Sequence, residues 1–76
     1  MSRFANISGK QAAKAFEKAG WLPMGQVGSH LVLVKEGCRA NLSVPQHREL
    51  APGTLRALIR AAEMTVEEFL KLAGLS

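Results

Sequence analysis

Apolar side chains recur at helical spacing from Ala12 to Ala19, alternate or run continuously from Trp21 to Val44, and return to helical spacing from Leu55 onward. Ser8 and Gln11 stand at capping-box spacing, and Ile7 with Ala12 can form the accompanying hydrophobic staple. Ala12, Phe16 and Ala19 then share one helical face, and Gly20 supplies a stop. Lys10, Lys14 and Lys18 fall on the opposite face within an arc of about 80°. The expected first helix is amphipathic, with a basic outer stripe.

The middle of the chain reads as a meander of three strands. Trp21 to Val27 forms the first, with Pro23 marking an edge or an irregular start. Gly28-Ser29 suits a two-residue hairpin turn in which glycine takes the positive φ of a type II′ geometry. His30 to Lys35 is the strongest strand and is apolar on both faces, so either Leu31/Leu33 or Val32/Val34 must point away from the helices. Such an outer apolar patch suits a protein partner or self-association. After a turn at Glu36-Gly37-Cys38, Arg39 to Val44 alternates, placing Ala40, Leu42 and Val44 on one face.

Pro45 to Ala51 reads as a loop that carries His47, Arg48 and Glu49. Pro52 opens a second helix whose apolar face is Leu55, Leu58, Ile59 and Ala62, with Arg56 and Arg60 alongside. Thr65 and Glu68 repeat the capping-box spacing, giving a short last helix to about Ala73, stopped by Gly74. The expected fold is α+β, α-β-β-β-α with a short extra C-terminal helix. Its three-stranded antiparallel sheet carries the helices on one face.

A length of 76 residues fits one domain, 1–76, with no room for a second core. Ten Lys and Arg against six acidic residues give +4 and a pI near 9.9, which favours an anionic partner such as nucleic acid. All six acidic residues are Glu, and four of them fall on expected helix surfaces. That argues against the clustered carboxylates of a metal-dependent nuclease, and no metal or cofactor is expected. The single Cys38 cannot form an intrachain disulfide, and the N-terminus Met1-Ser2-Arg3-Phe4 has no apolar leader core. The longest apolar run is Leu31 to Val34, so no membrane association is expected, and the compartment reads as cytoplasmic.

Candidate chemistry centres on His30, directly after the Gly28-Ser29 turn. Imidazole is the side chain best suited to move protons near neutrality. On RNA it could deprotonate a 2′-hydroxyl for attack on the adjacent phosphorus, or protonate the departing 5′-oxygen. A strand histidine with no chemistry is the plainer alternative. Ser29 should point to the opposite face from His30, so the two do not read as a nucleophile–base dyad. Cys38 lacks a neighbour that would activate it. His47 could supply a second acid/base group or contact phosphate, or could simply be a solvated loop histidine. Lys10, Lys14, Lys18, Arg39, His47, Arg48, Arg56 and Arg60 could bind an RNA backbone, although a lysine face on a helix is often only solvated surface. Aromatics that could stack bases are scarce, namely Phe4, Phe16, Trp21 and Phe69, and Phe16 and Phe69 read as core. Stacking of single-stranded bases is therefore weakly supported, and recognition through backbone and shape fits better.

Six segments resemble the HicA toxins of bacterial toxin–antitoxin pairs, also called the YcfA-like family. They are Ser8-Gly9-Lys10, Gly20-Trp21, Gly28-Ser29-His30, Val44-Pro45-Gln46-His47, Leu50-Ala51-Pro52-Gly53-Thr54-Leu55-Arg56 and Thr65-Val66-Glu67-Glu68-Phe69. The similarity runs over roughly residues 6 to 72. It implies a fold like the double-stranded-RNA-binding domain and an mRNA-cleaving endoribonuclease, the toxin component of a type II toxin–antitoxin system with a role in stress response. His30 would be its catalytic general acid/base, and a HicB-like antitoxin would neutralise it. A homodimer is also compatible with the pattern. Unlike many relatives, this chain runs from Gly-Ser-His directly into Leu31-Val32-Leu33-Val34, and its first strand carries no basic residue before the glycine. The readings that compete with a nuclease are a non-catalytic RNA-binding module and a protein-interaction domain of the same fold.

Overall fold

A computed structural model describes residues 6–75; the N-terminal stretch read above for a leader, Met1 to Phe4, lies outside that span. Helix α1 (Gly9–Lys18) begins where the capping box places it. Ser8 Oγ accepts the Gln11 N–H at 3.0 Å, and Gln11 Oε1 accepts the Ser8 N–H at 3.3 Å. Three strands follow, β1 (Leu22–Val27), β2 (His30–Val34) and β3 (Leu42–Pro45), antiparallel in the order β1-β2-β3. Helices α2 (Pro52–Ala61) and α3 (Val66–Leu72) complete the chain, the latter capped by Thr65 and Glu68. The α-β-β-β-α-α order matches the sequence pattern.

The β1–β2 turn is closed by the Val27↔His30 pair, and of its two residues only Gly28 takes a positive φ, +60°. That is the arrangement of a II′ turn, whose twist matches the flanking strands. A register shift between Pro23 and Gly25 makes β1 irregular where Pro23 suggested it.

The largest boundary difference from expectation is in the third strand. The third strand starts at Leu42, not Arg39, and Ala40 is exposed instead of facing the core. The ladder explains why: β2 ends at Val34, and Leu42 already pairs with Leu33, so residues ahead of Asn41 have no strand to pair with. They form a loop in which Cys38 N–H donates to the Lys35 carbonyl and Gly37 takes a positive φ.

Directly opposed residues of an antiparallel pair share a face. Leu33 and Leu42 are opposed, as are Leu31 and Val44; Leu33, Leu42 and Val44 are buried and Leu31 packs against them. The outer face therefore carries Val32 and Val34, with His30 two residues before Val32. The helices cover the inner face, where Phe16 of α1 and Phe69 of α3 meet with ring centroids 5.2 Å apart beside the buried Trp21. Since α1 and α2 pack against β3, the edge strand β1 is left uncovered along its length. Its Leu22, Met24 and Val27 are 64%, 68% and 71% exposed.

Candidate active site

His30 opens β2, and alternation with the core-facing Leu31 turns its side chain to the outer side of the sheet. It is flanked in the ladder by Val27 on β1 and Pro45 on β3, and it is exposed. The ring therefore sits at a solvent-reachable hairpin rim.

The second histidine reaches the same rim by a different route. The chain leaves β3 at Pro45, beside His30, and is then held on both sides. Gln46 N–H donates to the Ser29 carbonyl at 2.6 Å, and Gln46 Nε2 donates to the Val44 carbonyl at 3.1 Å. Gly9 N–H, at the start of α1, donates to the His47 carbonyl at 2.9 Å. Leu50 N–H donates to the Ile7 carbonyl at 2.8 Å, and Asn6 N–H to Glu49 Oε2 at 3.3 Å. Nearly every residue from Gln46 to Leu50 is thus tied to a neighbouring element. The imidazoles of His30 and His47, both exposed, lie with ring centroids 6.5 Å apart and planes inclined at 61°.

Gly9 has a specific reason to be glycine. A Cβ there would collide with the carbonyl of Pro45 and crowd the backbone of Gln46. The α1 N-terminus can only approach the His47 segment this closely without a side chain.

The basic residues divide by position. Lys10 directly follows Gly9, and Arg48 directly follows His47; both are exposed, so cationic side chains leave the backbone on either side of the Gly9–His47 hydrogen bond. The positive end of the α1 dipole adds to them. Lys14 lies one turn further along α1. Lys18 turns elsewhere: its Nζ donates to the Leu72 carbonyl at 3.3 Å, at the C-terminal end of α3. Arg39 belongs to the loop past the far end of β2 from His30, a strand length of about 13 Å away. Arg56 and Arg60 line a separate open cleft of about 350 Å³ with Ile59, Met64, Thr65 and Val66, which includes neither histidine. The eight residues read as one RNA-binding set therefore occupy at least three places.

Ser29 contributes its carbonyl to Gln46 and no dyad to His30, and Gly28 shapes the turn. Cys38 is a half-buried free thiol at the opposite end of β2 from the histidines. Among the described residues no group of three or more His, Cys, Asp or Glu is placed to hold a metal ion. No described helix is long and apolar enough to cross a membrane. What remains is a pair of solvent-accessible imidazoles at one rim, with Lys10 and Arg48 close by in the chain, a set that can exchange protons with a bound anion.

The part that residue-by-residue reading missed is the meeting of His30 with His47. A signal for it was present: Leu31 and Leu33 facing Val44 and Leu42 fix a register that puts Pro45 beside His30. That register brings His47 to the same end of the sheet.

Comparison with known proteins bears on this arrangement. The family model described as the HicA toxin of bacterial toxin-antitoxin matches residues 9–64. A solved structure titled as a toxin–antitoxin complex from Streptococcus pneumoniae aligns with a TM-score of 0.69 at 29% identity, covering 76% of this chain and 98% of that one. No curated protein matches the sequence at a significant level.

Proposed function

We propose that this chain, which belongs to the HicA toxin family, is an endoribonuclease that cleaves mRNA with His30 as a general acid/base. The observation that carries the reading is the exposed His30 imidazole on the outer rim of the β1–β2 hairpin, its centroid 6.5 Å from that of a second imidazole, with exposed Lys10 and Arg48 next in the chain to the hydrogen-bonded Gly9 and His47. The RNA supplies its own nucleophile, the 2′-hydroxyl, so the protein needs to seat a phosphodiester, move protons and offset the charge that builds on phosphorus. We assign the last task to Lys10 and Arg48, the exposed cations next in the chain to Gly9 and His47. Nothing in this scheme calls for a metal, and cleavage is expected to persist in a chelator.

As the toxin of a toxin–antitoxin system, it would be silenced by a HicB-like antitoxin. The outer face of the β1–β2 hairpin suits that partner: it is apolar at Leu22 and Val27, which oppose Val34 and His30, with the exposed Met24 at the irregularity of β1 between them, and it is the face from which His30 projects. A protein laid across it would bury the catalytic ring without any change of fold.

Expression in bacteria of the wild-type chain and His30→Ala, with growth and RNA integrity followed together, tests the enzymatic reading. Growth arrest and RNA decay are expected from the wild type alone. Equal toxicity and equal RNA cleavage from both proteins would refute the role of His30. RNA binding without decay in either would leave a binding module.

A further inference from the structure

We infer that His47 is a second catalytic residue, so that cleavage runs through a pair of imidazoles acting as base and acid on opposite oxygens of one phosphodiester. The inference rests on the ribonuclease reading above and deepens it. The family resemblance gave the catalytic role to the Gly-Ser-His histidine only; the case for His47 is geometric.

A single imidazole cannot accept the proton of the 2′-hydroxyl and donate one to the 5′-oxygen at the same moment. Two can, if they stand on either side of the phosphorus. A hydrogen bond from an acid or base to its substrate spans about 2.6–3.2 Å, so each ring must come within that reach of a different oxygen of one phosphodiester. With centroids 6.5 Å apart at one exposed rim, the rings of His30 and His47 are close enough for both to reach a single phosphoryl group seated against them. Their planes are inclined at 61°, so the rings are not stacked on one another.

The backbone around His47 is built for position. The Gly9 and Gln46 hydrogen bonds fix its segment to α1 and to Ser29, the residue before His30. These ties, one at the His47 carbonyl and one at the preceding residue, hold the His47 backbone in place beside the hairpin. Ser29 is therefore a link: one hydrogen bond from its carbonyl couples the strand carrying one imidazole to the loop carrying the other. Glu49, the acidic residue nearest in sequence to His47, has its carboxylate on the Asn6 N–H.

The chemistry balances without a further reactant. The neutral imidazole takes the proton from the 2′-hydroxyl as the O2′–P bond forms. The P–O5′ bond breaks, its electron pair stays on O5′, and the imidazolium gives that oxygen a proton. The products are a 2′,3′-cyclic phosphate and a 5′-hydroxyl; the two imidazoles have exchanged protonation states and are reset by solvent. A strand lacking the 2′-hydroxyl is not cleaved.

The test uses the purified full chain, its His30→Ala and His47→Ala variants, and two versions of one RNA oligonucleotide that differ at a single cleavable linkage. One carries the natural 5′-oxygen; the other carries a bridging 5′-sulfur, which leaves as a thiolate without needing a proton. Loss of either histidine is expected to slow cleavage of the natural linkage by about 10²–10⁴-fold. The bell-shaped pH–rate profile of the wild type should lose one limb in each variant, a different limb in the two. On the sulfur linkage, whichever variant lacks the acid recovers most of its rate, and the variant lacking the base does not. His47→Ala cleaving the natural linkage at the wild-type rate with an unchanged pH profile overturns the inference while leaving His30 as catalyst. His47→Ala that is slow on both linkages with both limbs of the profile intact also overturns it, since that behaviour belongs to a positioning residue. Failure of the wild type to cleave either RNA removes the ribonuclease reading itself.

Discussion

Gly9 and His47 lie far apart in sequence yet meet through a 2.9 Å backbone hydrogen bond, the N–H of the first helical residue donating to the histidine carbonyl. Around that contact the first turn of α1, the end of β3 and the hairpin turn converge. The catalytic pair proposed above depends on this convergence, because it sets where the His47 ring leaves the backbone.

Gly9→Ala tests the contact. At an exposed first-turn position alanine would help a helix, by up to about 1 kcal/mol. Here the added Cβ runs into the backbone of Pro45 and Gln46, which has no side-chain freedom to yield. Overpacking of this kind costs about 1–3 kcal/mol and should outweigh the propensity gain. A melting temperature lower by about 4 °C or more is expected, since one kcal/mol shifts a domain of this size by about 4–8 °C. Cleavage should fall with it at temperatures where the fold is intact. An unchanged melting temperature would mean the helix start can move away from Pro45 at no cost.

The division of the basic residues gives a second prediction. Lys10→Ala or Arg48→Ala should weaken binding of RNA and lower the slope of log affinity against log salt by about one unit each. Arg39→Ala, at the other end of β2, should change neither. Binding measured across a salt series checks this, and equal effects from Arg39 and Lys10 would place the RNA somewhere other than the histidine rim.

Glu68 provides an acid-side stability signature. Its carboxylate is held below the usual range, first by the hydrogen bond it accepts from the Thr65 backbone N–H and then by the Thr65 side chain. A carboxyl whose folded value is depressed contributes stability that is fully present above the unfolded glutamate range and is lost as pH falls through the folded value. Urea midpoints should therefore drop between neutral pH and the lower part of the carboxylate range. Glu68→Gln should flatten part of that drop. A variant with the same pH dependence as wild type would show that the cap does not depend on charge.

For the antitoxin face, Met24→Lys combined with Leu22→Lys should reduce affinity for a HicB-like antitoxin at least tenfold while leaving RNA cleavage by the free toxin intact. Both side chains are largely exposed, so the fold loses little by the change. Retained affinity in a binding titration would move the antitoxin to another surface.

Much of the fold could be read directly from the sequence because its signals are local. Both capping boxes, the Gly28-Ser29 turn and the Pro52 helix start act through neighbours within a few residues, and each stands where the pattern put it. The third strand was misjudged at its start because alternation alone does not say where its partner ends; Arg39 and Ala40 alternate correctly but lie beyond Val34. The site was only half legible. His30 could be placed at the hairpin rim from Gly-Ser-His alone. The basic residues could not be sorted, since Lys18 reaching Leu72 and Arg56 with Arg60 lining their own cleft are consequences of tertiary packing. The proximity of His47 required the register between β2 and β3 together with the docking of α1 on the loop beyond.

The most direct measurement is the initial rate at which purified wild type and His30→Ala cleave one RNA oligonucleotide in the presence of a chelator, with the product ends identified by mass spectrometry. The account predicts cleavage by the wild type to a 2′,3′-cyclic phosphate and a 5′-hydroxyl, and a loss of about 10²–10⁴-fold in the variant. An undiminished rate in His30→Ala, or an upstream fragment left with a 3′-hydroxyl at the cut, would contradict it.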